Sequence, residues 1–568
     1  MTKLSVLSAV AACYLGFGGL PYGTMYELYQ NYAYYFVFAG FFIWLQLLFS
    51  FLPEKRRVLA FLRFHFMPLS VSLTVTFLIL IASTPDFRIL ADETNLLGMS
   101  KAMYEDHLSV NPTQQVSFYH GFQRRITSVV DMRPLFFPFS LSVLHSLLGY
   151  SENNAFVLNG LSAFLCLFLI YYITYKRFGR FWGVSGLLLL ASFPLFVLYS
   201  TSAGFEVYNL LFALILLVAF DNFLETKSAS VCEFLLYTAL LLAQTRYESA
   251  AMVLLILPFI ISILKKEEYR NFTLRLSVWP LLFLPVAWVR MLTYNNLSFQ
   301  VGSVDEAFGL SLFLKNLSNA LPFFMGKNQA YGMNGVIFIA AVVGLLMVFY
   351  KAATKRLFKD CLYPKEAKIF SWFVFLFFLI HACARFAYYW GNLTLQYTSR
   401  LGVIFLPLLV FMAVYAFKGL SERFKLHKSW AILIPIIFAV HSWPVAGQNM
   451  AVRDITLFRE FKTVRTFLAE NYPNKKDYIV VAPISNIYVP LNYNAFSMKH
   501  LSKEFNQVMQ DLRNKTWSYL IVVQKITTST KEVEKDSQVP EDLILEPLFE
   551  SQVSVDCFVR ISKYSPIY

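Results

Sequence analysis

Asp92 and Glu93, adjacent carboxylates in Ile89-Leu90-Ala91-Asp92-Glu93-Thr94, stand a few residues beyond a hydrophobic run. Ionised side chains are expensive beside hydrocarbon, and where they persist they usually serve a function. More of them sit at the ends of other apolar runs: Glu206 with Asn209, Arg246 with Glu248, then Arg385 and Arg400 flanking a late turn. Arg133, directly before Pro134, adds another cation. A carboxylate beside guanidinium groups suits transfer from an anionic, lipid-linked donor. The acid takes a proton from a hydroxyl or amine, or orients it, while the arginines hold the departing phosphate.

Each residue also has a plainer use. Asp92 and Glu93 suit the first turn of an amphipathic helix, Thr94 to Asp106, where acids oppose the helix dipole. Arg133 can snorkel to headgroups. Arg246 and Glu248 can simply pair at a hinge, Arg400 can anchor the start of a span, and Glu206 can be an ordinary loop acid. The joint reading rests on separate spans delivering all of them to one side.

The elements that must do this are membrane helices. Of 568 residues, 57% are hydrophobic and only 15% charged, which excludes a soluble globular chain. Apolar runs near 4–20, 32–52, 66–84, 154–174, 182–200, 207–223, 232–246, 249–264, 274–292, 333–350, 369–389, 400–417 and 430–446 predict about 13 spans. They are helical, because an open sheet leaves its backbone unsatisfied in lipid. The formal net charge of +14 sits mainly between these runs. With the N-terminus cytoplasmic, the inner loops hold clusters such as Lys55–Arg57, Lys176–Arg180, Lys265–Arg270 and Lys355–Lys359. The short outer loops at 21–31, 201–206 and 390–399 contain no Lys or Arg. Topology therefore explains the charge, and nucleic acid is not an expected partner.

Loop charge also decides two ambiguous stretches. Pro134 to Gly149 is too short to span comfortably, and a crossing there would invert every later loop, so it is read as an interfacial helix. Residues 232–264 divide into two short spans hinged at Thr245-Arg246-Tyr247-Glu248. The outer face then carries a long loop (85–153), a second at 293–332, and the tail after about residue 447. In that tail, Tyr478-Ile479-Val480-Val481 and Tyr519-Leu520-Ile521-Val522-Val523 read as strands among helical patterns near 454–471 and 499–513. Six scattered cysteines without a CxxC pair indicate neither disulfides nor zinc, and His107, His120 and His145 lack ligand spacing.

With these residues placed, the chain resembles the GT-C glycosyltransferases, polytopic enzymes that take a sugar from a polyprenyl-phosphate carrier. It is similar in layout to the protein O-mannosyltransferases and the lipid A aminoarabinose transferases. The likeness rests on Ala91-Asp92-Glu93-Thr94 with Met99-x-x-Ala102-Met103, and on Arg133-Pro134-Leu135 followed by Leu147-Leu148-Gly149. Gln244-Thr245-Arg246-Tyr247-Glu248 matches an Arg-x-Glu element, and Gln396-Tyr397-Thr398-Ser399-Arg400 with Phe405-Leu406-Pro407 a late Arg…Pro element. The chain departs from the pattern at Asn209, where relatives often carry Asp. It also departs at Arg133, which replaces a lysine, and at Leu401, which replaces an aromatic.

The resemblance implies an inverting glycosyltransferase with an acceptor outside the cytoplasm. Asp92 would be its base and Glu93 a supporter or donor contact. Arg133, Arg246 and Arg400 would hold the lipid phosphate, with Glu206, Asn209, Glu248 and Arg385 as further site candidates. The donor would be a polyprenyl-phosphate-linked sugar and the acceptor a lipid, glycan or protein. A divalent metal stays undecided, the lack of an Asp-x-Asp at Asp92 weighing against one. The expected fold is an all-α polytopic membrane protein of GT-C-like layout with a small C-terminal extracytoplasmic α/β domain. Its parts are 1–65 (two N-terminal helices and a basic loop), 66–446 (catalytic module) and 447–568 (outer domain). The expected location is the bacterial inner membrane. Two rival readings are a lipid or glycan transporter and a catalytically inactive GT-C scaffold. Transporters favour midplane sites and repeats, and neither is visible here.

Overall fold

The computed structural model describes residues 2–51, 55–117, 123–264, 274–294, 308–326, 335–354, 364–448 and 456–566. His120, the basic clusters at 265–270 and 355–359, and much of the loop at 293–332 lie outside the described residues. The chain packs as two compact units. The first comprises Met1–Asp86, Met132–Ser140 and Ala155–Met450; the second comprises Phe87–Asp131, Leu141–Asn154 and Ala451–Tyr568.

The first unit is helical. Eight of its described helices are long and apolar enough to cross a bilayer, so this is an integral membrane protein. The other expected spans fall on shorter apolar helices, Leu4–Phe17, Phe66–Ala82, Ala229–Ala243 and Glu248–Phe259, and on one bent pair. That pair occupies the stretch where a span over 182–200 was expected. Arg180–Ala191 and Pro194–Ser200 meet at 72°. Pro194 lacks an N–H and its ring would collide with the preceding turn, so one helix stops and another begins with proline near its N-terminus.

The Glu206–Thr226 helix runs through the interior of this unit. It is apolar all round, and 83% of its apolar window is buried, more than in any other candidate span described. At its far end Lys176 bonds Asp221 at 2.7 Å and Glu225 at 2.8 Å, while Arg177 also pairs with Asp221. Its 21 residues cover about 30 Å, and the first turn, with Glu206, lies about 22–28 Å along the helix from that network. The Phe136–Leu148 helix has 13 residues, about 20 Å, which is short of a span.

The second unit is built on a seven-stranded mixed sheet. Its strands are β1 (Asn111–Ser117), β2 (Gln123–Val129), β3 (Tyr478–Ala482), β4 (Ala495–Ser497), β5 (Tyr519–Thr527), β6 (Glu546–Gln552) and β7 (Cys557–Tyr564), in the order β2-β1-β4-β3-β5-β7-β6. The central β4, β3 and β5 are parallel, and every other pairing is antiparallel. Ile479, Val481, Leu520 and Val522 alternate towards a core that also buries Phe496, Leu501, Leu512 and Trp517. The strands foreseen in the tail are β3 and β5. Strands β1 and β2 come from the 85–153 segment and were not foreseen; Gln115 pairs with Ala495 to join them to the sheet.

The same unit holds the Leu90–Asp106 helix, which carries Asp92 and Glu93. Gly98 lets β1 approach closely, since a Cβ there would meet Asn111 Oδ1 at 2.3 Å. One turn on, fully buried Lys101 donates to Gln115 Oε1 at 3.0 Å and to Asn492 Oδ1 at 2.8 Å, so its charge is solvated by amide oxygens.

Candidate active site

Glu206 opens its helix from a tight turn at 201–205, where Asn159 Nδ2 donates to the carbonyls of Ser202 and Gly204 at 2.7 and 2.6 Å. An acid in a first helical turn is favoured by the exposed N–H groups. The residue is only 3% exposed, and its Oε1 accepts from Arg246 Nη1 and from Arg400 Nη1, each at 3.2 Å. One carboxylate oxygen therefore bridges two guanidinium groups.

Arg246 comes from the foreseen hinge. The Ala229–Ala243 helix ends there and a 3-10 turn, Glu248–Ala251, begins. Four hydrogen bonds fix this irregular backbone. Gln244 Nε2 donates to the Leu282 carbonyl at 3.0 Å, and Phe136 N donates to the Gln244 carbonyl at 3.0 Å. The hydroxyls of Thr245 and Ser249 converge on Asn209 Oδ1 at 2.5 and 2.8 Å. Arg246 thus presents a fork to Glu248, with Nε to Oε2 and Nη2 to Oε1 both 3.3 Å. Its guanidinium carbon lies 4.7 Å from the centre of the Phe205 ring, a geometry that favours a partly desolvated cation.

Arg400 begins a 3-10 stretch, Arg400–Phe405, ahead of the Leu406–Phe424 helix. Arg385, on the Pro364–Phe386 helix, donates through Nη2 to the Trp390 carbonyl, and its buried Nε has no hydrogen-bond partner among the described residues. One turn earlier on that helix, His381 is 4% exposed, and its Nε2 likewise has no partner among the described residues. Glu206, Asn209, Arg246, Glu248, Arg385 and Arg400 line a single cavity together with His381, with apolar walls from Leu401, Val403, Ile404 and Phe405. Its space is about 360 Å³, open solvent at the mouth included. Among the described residues three guanidinium groups face two carboxylates, so one positive charge is in excess, and a singly charged phosphodiester would neutralise it.

Six of the nine residues proposed from the sequence therefore meet in one place. Asn209 serves there through the hinge, because its side-chain oxygen already receives two hydroxyls. Arg133 is half-buried at the bend before Phe136 and is not among the lining residues. Asp92 and Glu93 belong to the second unit, where they are not equivalent. Glu93 is 1% exposed and accepts the Arg88 backbone N–H at 2.7 Å, closing the start of its helix. Asp92 is half-buried. His381 escaped the sequence reading. Its signal was a histidine four residues before Arg385 in an apolar run, which places both on one helix face. Among the described residues, no three His, Cys, Asp or Glu side chains come together to hold a metal ion.

No family model matches this chain, and no curated protein does. Solved structures with a similar layout include ArnT from Cupriavidus metallidurans bound to undecaprenyl phosphate. That pair is 12% identical, covers 88% of this chain and 98% of the other, and has a TM-score of 0.48. The Archaeoglobus fulgidus oligosaccharyltransferase in complex with zinc and sulfate is 11% identical over 84% of this chain and 74% of its own, with a TM-score of 0.43. Arabinosyltransferase EmbB from Mycobacterium smegmatis is 11% identical, with coverage of 86% and 45% and a TM-score of 0.30. None of these scores reaches 0.5, so the functional reading rests on this chain's own residues.

Proposed function

We propose that this protein is a membrane glycosyltransferase moving a sugar from a polyprenyl-phosphate donor to an acceptor outside the cytoplasm. One observation carries the reading: Arg246, Arg385 and Arg400 converge with Glu206 and Glu248 on a cavity with a net positive charge. In the proposed reaction the acceptor oxygen or nitrogen forms a bond to the sugar's anomeric carbon as the bond from that carbon to the phosphate oxygen breaks. The configuration inverts, the acceptor's proton passes to a base, and polyprenyl phosphate leaves with the electron pair. Asp92 is proposed as the base. Arg246, Arg400 and Arg385 are proposed to stabilise the phosphate, with Arg133 as a further contact.

Glu93 is assigned a supporting role, since its carboxylate is already committed to the Arg88 amide. The membrane is proposed to be a bacterial inner membrane, with the N-terminus cytoplasmic and the second unit outside. A reporter fused after Arg180 should then read cytoplasmic.

The test is turnover of a radiolabelled polyprenyl-phosphate sugar by the purified full-length protein in lipid nanodiscs and in vesicles. Asp92→Asn should abolish transfer at normal expression, and Arg400→Ala should weaken donor binding. Movement of the donor across the vesicle bilayer without transfer to any acceptor would make the protein a transporter and end the proposal.

A further inference from the structure

His381 is the residue at the cavity that neither the motifs nor the ion pairs account for. It is 4% exposed, its ring packs against Phe377 with centroids 4.9 Å apart, and its buried Nε2 has no hydrogen-bond partner among the described residues. A buried polar nitrogen left unmatched costs free energy, and one on a residue that lines a cavity points to a ligand that completes it. The cavity's own groups do not. Arg246 spends Nε and Nη2 on Glu248 and Nη1 on Glu206, and Arg385 spends Nη2 on the Trp390 carbonyl.

A phosphoryl group brings at least two unesterified oxygens and several lone pairs, which can take a donor from a ring beside the arginines as well as from the arginines themselves. A neutral imidazole adds an N–H donor without adding charge, which leaves the single positive excess matched to a phosphodiester monoanion. We propose that His381, through Nε2, donates a hydrogen bond to the phosphoryl group of the lipid-linked ligand. The inference rests on the functional reading above and adds to that site a contact that is not an arginine.

The experiment measures binding of undecaprenyl phosphate to the full-length protein in nanodiscs, with Arg400→Ala as the reference for loss of the phosphate site. His381→Phe, which fills the space without a donor, should weaken binding about tenfold or more. His381→Gln, which restores an N–H, should recover much of that loss. In the unsubstituted protein carrying ¹⁵N-labelled histidine, one imidazole resonance should shift on adding the ligand. The same resonance should be absent from His381→Gln and unmoved in Arg400→Ala; this readout needs no folded Phe variant.

Wild-type affinity in His381→Phe alongside weakened Arg400→Ala overturns the inference and leaves the phosphate site standing. Equal loss in the Phe and Gln variants, with no ligand-dependent imidazole shift, makes the ring a packing element and also overturns it. Unchanged affinity in Arg400→Ala as well as His381→Phe removes the functional reading and this inference together.

Discussion

Glu206→Gln separates the cavity's charge from its shape. The carboxylate bridges Arg246 and Arg400 at 3.2 Å each and is 3% exposed. Glutamine keeps the volume and an acceptor oxygen but leaves three guanidinium groups facing only Glu248. At an effective dielectric constant near 20, unit charges about 4 Å apart interact by roughly 4 kcal/mol. Removing one partner of a buried pair costs about 3–5 kcal/mol, because the remaining charge stays desolvated. The retained acceptor oxygen puts this case at the lower end, about 3 kcal/mol.

The same change removes a repulsion from any entering anion. A phosphate about 6 Å from the lost carboxylate gains roughly 3 kcal/mol on that scale. Looser guanidinium groups give back part of this, leaving about 1.4 kcal/mol, or tenfold in affinity. The fork to Glu248 and the Phe205 face still hold Arg246, so the charge effect outweighs the loosening. The empty variant should therefore unfold at a lower temperature, bind undecaprenyl phosphate more tightly, and gain more from saturating ligand than the unchanged protein. Turnover should fall, because the product leaves more slowly. Thermal unfolding in nanodiscs with and without ligand, together with direct binding, measures each part. An unfolding temperature equal to the unchanged protein's, combined with weaker binding, would refute the reasoning.

Arg246→Lys should lose nearly as much undecaprenyl phosphate binding as Arg246→Ala, about tenfold or more. One ammonium cannot reach Glu206 and also fork Glu248; wild-type affinity in the lysine variant would show that charge alone suffices. Glu93→Ala should destabilise the second unit by about 1–3 kcal/mol through the orphaned Arg88 amide, seen as earlier thermal unfolding or faster proteolysis. Asp92→Asn should leave stability within about 0.5 kcal/mol while removing transfer.

His145 carries a pH dependence. Burial lowers its pKa from 6.5 to about 4, and it sits between Asn154 and Ser100 at 2.9 and 3.2 Å. The folded ring stays neutral while an unfolded one takes up a proton. Its contribution is therefore full above pH 6.5 and is lost as pH falls towards about 4, by roughly 3 kcal/mol in all. Unfolding followed across that range should flatten in His145→Gln, and an unchanged slope there would assign the effect elsewhere.

What the sequence discloses depends on whether the deciding force is local. Lipid forces each long apolar run to satisfy its own backbone, so the expected spans fall on helices, and the hinge after Ala243 was visible from loop charge. The break before Pro194 is equally local, since a proline without an N–H stops the helix that precedes it although the apolar run continues. Strands β3 and β5 announce themselves through β-branched and aromatic runs. Strands β1 and β2 do not, for Asn111–Ser117 and Gln123–Val129 are mostly polar, and their pairing through Gln115 and Ala495 depends on distant chain.

The site divides along the same line. Charges at span ends stand out because they cost so much there, and that singled out Glu206, Arg246, Glu248, Arg385 and Arg400. Which of them neutralise one another is a matter of ångströms between four separate stretches, and no spacing encodes it. Adjacent acids show the limit most plainly. About 100° of helix rotation buries Glu93 against the Arg88 amide and leaves Asp92 half-buried, so two residues alike in sequence take up different work. His381 is the converse case: an ordinary core residue by pattern, it becomes a candidate ligand contact only through the charges packed around it.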